Sequence, residues 1–179
     1  MARKSRLTIP TRAGEGTEID YSNPGGDDFE ALSRDTIPIH SMRPEDIDAI
    51  IRIDRHVMGR DRSDYLRRKA AEAMEESAIR VSIVGEVDGE VAGFIMARID
   101  FGSFGHTDPA AVIDNIGVDP AHTGRHVGHA LMSQLLRNLT ALRVERVRTE
   151  VDWDRFGLLG FLNRCGFAPA ERMVLRRRL

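Results

Sequence analysis

The chain has 179 residues, enough for one domain with a sizeable core. Its 26 lysines and arginines against 28 aspartates and glutamates leave a formal charge of −2, without the basic excess expected of a nucleic-acid binder. The single cysteine, Cys165, allows no internal disulfide and no cysteine zinc cluster. The opening MARKSRLTIPTR lacks the apolar run of a secretory signal, and no window reaches the ~18 apolar residues of a membrane span. A soluble, cytoplasmic protein with no membrane partner is expected.

Residues 1–35 read as a flexible N-terminal tail. RAGEGTEIDYSNPGGDDFEALSRD mixes Gly, Pro, Asp and Ser with few spaced apolar residues, so it buries little. The domain is expected over residues 36–179. TIPIHSMR alternates as a first strand, with Ile37 and Ile39 on one side. Pro44, Glu45 and Asp46 then carry the marks of a helix start, Ile47, Ile50, Ile51 and Asp54 follow at helical spacing, and Gly59 ends the run. A second helix is predicted over Ser63–Glu76, with Leu66, Ala70, Ala73 and Met74 inward.

Ile79–Val87 and Glu90–Ile99 are two strand-like runs joined by Asp88-Gly89, a strong hairpin signal. A connection, GSFGHTDPA, leads to a strand over Ala111–Val118 and a helix over Val127–Leu142. Glu145–Val151 reads as a strand, Asp154–Cys165 as a short helix and Phe167–Arg177 as a last strand, with Arg176-Arg177-Arg178 as its solvated end. The order β-α-α-β-β-β-α-β-α-β implies an α/β fold with a mixed, mostly antiparallel central sheet and helices on both faces.

The segment Val112–Met132, VIDNIGVDPAHTGRHVGHALM, is a strand, a turn and a glycine-bearing loop running straight into a helix. The loop and first helical turn offer main-chain N–H groups without internal partners, and the helix dipole adds about half a positive charge. Such a site holds a diphosphate without a lysine.

Ile116-Gly117-Val118-Asp119-Pro120, then Thr123-Gly124-Arg125-His126-Val127-Gly128, and Phe161 through Gly166-Phe167 together resemble the GNAT superfamily of N-acetyltransferases. Within it the chain looks similar to bacterial protein N-terminal acetyltransferases. The resemblance covers about residues 36–178. Thr123 stands where arginine or glutamine is usual, and His126 where glycine is usual, so His126 must take a backbone conformation that glycine adopts more cheaply.

The resemblance implies transfer of an acetyl group from acetyl-CoA, as co-substrate, to a primary amine: a protein N-terminus, a lysine or a small amine. It implies no metal, and His40, His56, His106, His122 and His129 show no metal-ligand spacing. Main-chain groups of Ile116, Gly117 and Val118 would follow the pantetheine arm. Gly124, Arg125, His126, Val127, Gly128 and His129 would surround the diphosphate. An alkylammonium of pKa near ~10 must lose a proton before it attacks, and Glu150 matches the family position of a catalytic glutamate. Arg146, Arg148, Glu150 and Asp152 also read as a solvated stripe.

Asp114 is the second candidate base. Alternation sets it beside Val112, Ile116 and Val118, a setting that calls for a salt bridge or a use. Leu162 occupies the place where many relatives carry a tyrosine acid, and Arg155 that of a coenzyme-contacting asparagine. Cys165 reads as core, and Trp153 as a cover over the sheet end or a substrate platform. Arg60, Asp61, Arg62 and Tyr65 would line the acceptor side. Relatives often dimerise through their last strands, so a homodimer is open. The substitutions at Thr123, His126 and Leu162 leave a non-catalytic acyl-CoA-binding sensor or interaction domain as the alternative function.

Overall fold

The structure, a computed structural model, describes residues 36–75, 80–102, 108–171, 174–175 and 177–178. The tail expected over residues 1–35, and most of the GSFGHTDPA connection, lie outside the described residues. Five strands form one sheet in sequence order: β1 (Ile39–Ser41), β2 (Arg80–Val87), β3 (Glu90–Asp100), β4 (Ala110–Val118) and β5 (Val147–Thr149). β1 to β4 pair antiparallel, and β5 joins β4 in parallel. The helices are α1 (Ile47–Met58), α2 (Ser63–Glu75), α3 (Val127–Ala141) and α4 (Phe156–Arg164).

Asp88 and Gly89 both have positive φ, 55° and 80°, the signature of the two-residue turn whose twist suits a hairpin. Gly59, at φ 67°, closes α1 with its N–H on Arg55 O at 2.9 Å. Helices cover both faces of the sheet. Ile50, Ile53 and Leu66 of α1 and α2 pack on Val84, Phe94 and Met96. On the other face Leu131, Leu135 and Leu162 of α3 and α4 pack on Ile83, Ile95 and Ile113. No described helix is long and apolar enough to cross a membrane.

Four expectations change. Met74 is exposed, while Leu66, Ala70 and Ala73 are buried as expected. The predicted strand over Glu145–Val151 shortens to Val147–Thr149, and the helix over Asp154–Cys165 to Phe156–Arg164. The described residues of the expected last strand, Phe167–Arg177, form no strand. β5 offers only a three-residue ladder as an edge, and Val174 and Leu175 lie exposed instead of packing on either core. An alternating pattern without a partner edge and a buried face does not become a strand.

α3 lies close on the sheet because Gly93 carries no side chain. A Cβ on Gly93 would stand 2.9 Å from Val127 Cγ1 and 3.0 Å from Gly117 O. Gly93→Ala is therefore expected to destabilise the fold by about 1–3 kcal/mol, read as a lower urea midpoint with an unchanged denaturant slope.

Candidate functional site

The site begins with a fault in a ladder. Met96 pairs with Asn115 but Ala97 pairs with Ile113, so Asp114 is an extra residue on β4. This β-bulge has two consequences. β4 meets β5 only over Ala111–Ile113, opposite Val147–Thr149, and runs on through Asp114–Val118 without a strand on that side. The main-chain groups there are open to an extended ligand. Side-chain parity also switches. Ala111 and Ile113 belong to the α3 face before the bulge, and Ile116 and Val118 pack against that same face after it.

That switch corrects the predicted surroundings of Asp114. It does not share a face with Ile116 and Val118; it turns to the opposite face and pairs with Arg98. Arg98 also bonds Asp100 at 3.0 Å, and Arg148 donates to Asp100 at 2.7 Å. Alternating charges from three strands thus cover this part of the sheet. The salt bridge, one of the two readings open for Asp114, is present.

Beyond β4 the chain is tied down at each step. Asp119 N–H donates to Ala92 O at 2.8 Å, and the Asp119 carboxylate accepts Ala121 N–H at 2.9 Å. Gly124 has φ 83° and His126 φ 63°, so the loop turns twice through the left-handed region before α3 starts at Val127. His126 takes the glycine-like conformation that its position demands, at a cost of about 1–2 kcal/mol. Ala130 N–H reaches back to His126 O at 3.0 Å. Among the described residues no acceptor is paired with the amides of Gly124, Val127 and Gly128. These N–H groups stand at the positive end of a 15-residue helix.

Gly128 is needed for packing as well, since a Cβ there would come 3.3 Å from Phe161 Cε2. His129 stacks edge-on against Phe161 at 5.2 Å. Arg125 sends its guanidinium to Asp88 at 3.2 Å on the hairpin turn, an exposed pair of small energetic weight. The start of α3 lies against the end of β4, since a Cβ on Gly128 would also stand 3.6 Å from Val118 Cγ2. Gly117 also admits Phe94, whose Cε1 would lie 2.8 Å from an added Cβ.

Glu150 falls just past the end of β5 and is exposed, in a connection that also exposes Asp152, Trp153 and Asp154. Trp153 is 86% exposed, which removes the reading of a cover over the sheet. Arg155 donates to Val57 O at 3.1 Å, and so fastens this connection to the end of α1. Leu162 is buried in the α3-side core, and Cys165 packs against it.

Sequence reasoning set Arg62 and Tyr65 on the acceptor side but missed the polar cluster that they form with Asp54 and Asn115 beneath α1 and α2. Asp54, only 3% exposed, accepts Arg62 Nε at 3.0 Å, and this hydrogen-bonded carboxylate raises the Arg62 guanidinium above its ordinary value. Arg62 also reaches Asn115 Oδ1 at 3.2 Å. An acid in the inward stripe Ile47, Ile50, Ile51, Asp54 was the available signal. A cavity of about 510 Å³ lies elsewhere, among residues such as Met42, Met74 and Asn138, and none of the predicted site residues lines it.

The family model for the acetyltransferase (GNAT) family matches residues 47–167. The chain belongs to this family. Its fold is similar to that of the aminoglycoside N-acetyltransferase AAC(6')-Iy, solved with a bisubstrate analogue, CoA-S-monomethyl-acetylneamine, at 18% identity and TM-score 0.68 over 80% of this chain and 98% of that one. The apo aminoglycoside 6'-N-acetyltransferase AAC(6')-IG from Acinetobacter haemolyticus matches at 16% identity and TM-score 0.69, over 79% and 98%. Glucosamine-6-phosphate N-acetyltransferase from Arabidopsis thaliana matches at 16% identity and TM-score 0.63, over 79% and 97%. At these identities the likeness is one of fold.

Burial, then Arg164 and His126, lower the His129 pKa below its ordinary 6.5. The unfolded chain accordingly takes up this proton before the native one does. Stability from this group is then full at neutral pH and declines as pH falls below about 6.5. His129→Gln is expected to flatten the acid side of a plot of unfolding midpoint against pH; an unchanged slope would contradict this account.

Proposed function

We propose that the protein is an acetyl-CoA-dependent N-acetyltransferase acting on a primary amine. The observation that carries this reading is the open edge of β4 leading directly to unpaired amides at the start of α3. A diphosphate fits the donors of Gly124, Val127 and Gly128, with Arg125, His126 and His129 around it. A pantetheine arm fits along Ile116, Gly117 and Val118 as an added strand. The thioester supplies an activated acyl carbon; the chain supplies its placement and the handling of protons.

Glu150 is the first choice for general base. It is exposed at the end of β5, and no ion-pair partner for it occurs among the described residues. Asp114 is the second choice, because Arg98 already occupies its carboxylate. The acceptor is an amine that arrives as a cation. Three exposed carboxylates, Glu150, Asp152 and Asp154, and two exposed rings, Trp153 and Phe156, favour such a group. The amine-acetylating neighbours support this class without choosing a protein N-terminus, a lysine or a small amine.

Calorimetry with acetyl-CoA should give a measurable heat of binding, and a panel of peptides, polyamines and amino sugars should include one amine that is acetylated. Absence of binding at millimolar coenzyme A defeats the reading. Glu150→Gln is expected to lower kcat by about 10²-fold, with the KM for acetyl-CoA unchanged. An unchanged kcat removes Glu150 from the mechanism and returns attention to Asp114.

A further inference from the structure

The connection between β5 and α4 is held unevenly along its length. Thr149 Oγ1 donates to Ile113 O at 3.1 Å, and Val151 packs on the α3-side core, so Glu150 is fixed through both its neighbours. Asp152, Trp153 and Asp154 have no such hold, and all three are exposed. Arg155 follows them, with main chain and side chain both engaged. Its N–H closes a turn on Asp152 O at 3.1 Å, and its carbonyl accepts Leu159 N–H at 2.9 Å as α4 begins. Its side chain crosses to α1, where Nη1 donates to Val57 O at 3.1 Å and Nη2 lies 3.6 Å from Met58 Sδ.

Val57 O belongs to the last turn of α1, whose carbonyls have no partner inside the helix, and a cation suits that negative end of the dipole. α1 in turn rests on the strand with the open edge. A Cβ on Gly117 would stand 3.3 Å from Ile53 Cγ2, and Val57 lies one helical turn beyond Ile53. The Arg155 tie therefore sets the Asp152–Asp154 turn relative to the part of β4 proposed to carry the thioester arm. Among the described residues, the side-chain hydrogen bonds that join α1 and α2 to this connection all come from Arg155. The resemblance places a coenzyme-contacting asparagine here, but this guanidinium is spent on the end of a helix.

We propose that Arg155 is a positioning residue that determines specificity for the amine: its tie to α1 holds Asp152, Trp153 and Asp154 where a cationic acceptor approaches the thioester. This assignment rests on the acetyl-CoA reading above. Two carboxylates and an indole face attract an ammonium group. They do so more strongly from a fixed turn than from a free one, because the fold has already met the entropy of ordering them. Glu150, held by Thr149 and Val151, does not depend on the tie. Coenzyme binding, assigned to β4 and the start of α3, does not depend on it either. Loss of Arg155 thus weakens capture of the amine and spares the chemical step.

The test compares wild type, Arg155→Met and Arg155→Lys by calorimetry with acetyl-CoA, by kinetics on an amine the wild type acetylates, and by fluorescence anisotropy decay of Trp153, the single tryptophan of the chain. Arg155→Met keeps an apolar stem without donors. Its KM for the amine should rise by about 10-fold, with kcat and acetyl-CoA affinity within about twofold of wild type. Trp153 should gain a nanosecond component of motion. Arg155→Lys can still donate to Val57 O and should recover most of both losses. In an Asp152→Asn, Asp154→Asn background Arg155→Met should raise KM far less, since it acts through those carboxylates. An unchanged amine KM, unchanged Trp153 motion or full additivity in that background overturns the assignment while leaving the acetyltransferase reading intact. So does a fall of about 10-fold in acetyl-CoA affinity, which would make Arg155 a phosphate ligand. A wild type that binds coenzyme yet acetylates no amine overturns both.

Discussion

The fault in the β3–β4 ladder at Asp114 is the constraint from which the site follows. One residue too many on β4 breaks the antiparallel register, increases local twist and ends the contact with β5 at Ile113. Without it β4 would continue beside β5, and its main-chain groups would be consumed by pairing. With it, Asp114–Val118 keep an unpaired side in the middle of a sheet whose two faces are packed by helices. The same residue sends Asp114 to Arg98 and Asn115 to Tyr65.

The second support is the left-handed pair Gly124 and His126. They reverse the chain tightly enough that the amides of Val127 and Gly128 end without partners just beyond the open strand. A histidine in this conformation is a local expense that sheet and helix packing absorb. Val127, Ala130, Leu131 and Leu135 are all nearly inaccessible on the α3-side core, which fixes the helix whatever its first turn costs. The site therefore rests on rigid elements.

On the opposite face two polar systems lie under and beside α1 and α2. Arg98, Asp100, Asp114 and Arg148 neutralise one another across the sheet. Asp54, Arg62, Asn115 and Tyr65 tie the helices to β4. Arg155 joins the β5–α4 connection to the end of α1 through Val57 O. The acceptor side is thus tied to β4, the strand on which the coenzyme arm is proposed to lie, through Asn115, which meets both Arg62 and Tyr65.

The sequence determined the local elements. Period-two and period-3.6 apolar spacing, the Asp88-Gly89 turn and the cap at Gly59 each act over a few residues, and the hairpin, α1 and α3 stand where they were expected. It also located the strand–loop–helix segment, because unpaired helix-start amides are a consequence of local geometry. Tertiary structure alone decided the bulge. Alternation counted along β4 assumes an unbroken ladder, and that assumption set Asp114 on the wrong face. It likewise decided that Phe167–Arg177 lacks a partner edge, and that Asp54 and Asn115, 61 positions apart in the chain, meet through Arg62. Such outcomes depend on which distant surfaces come together, and short-range residue patterns carry no record of that.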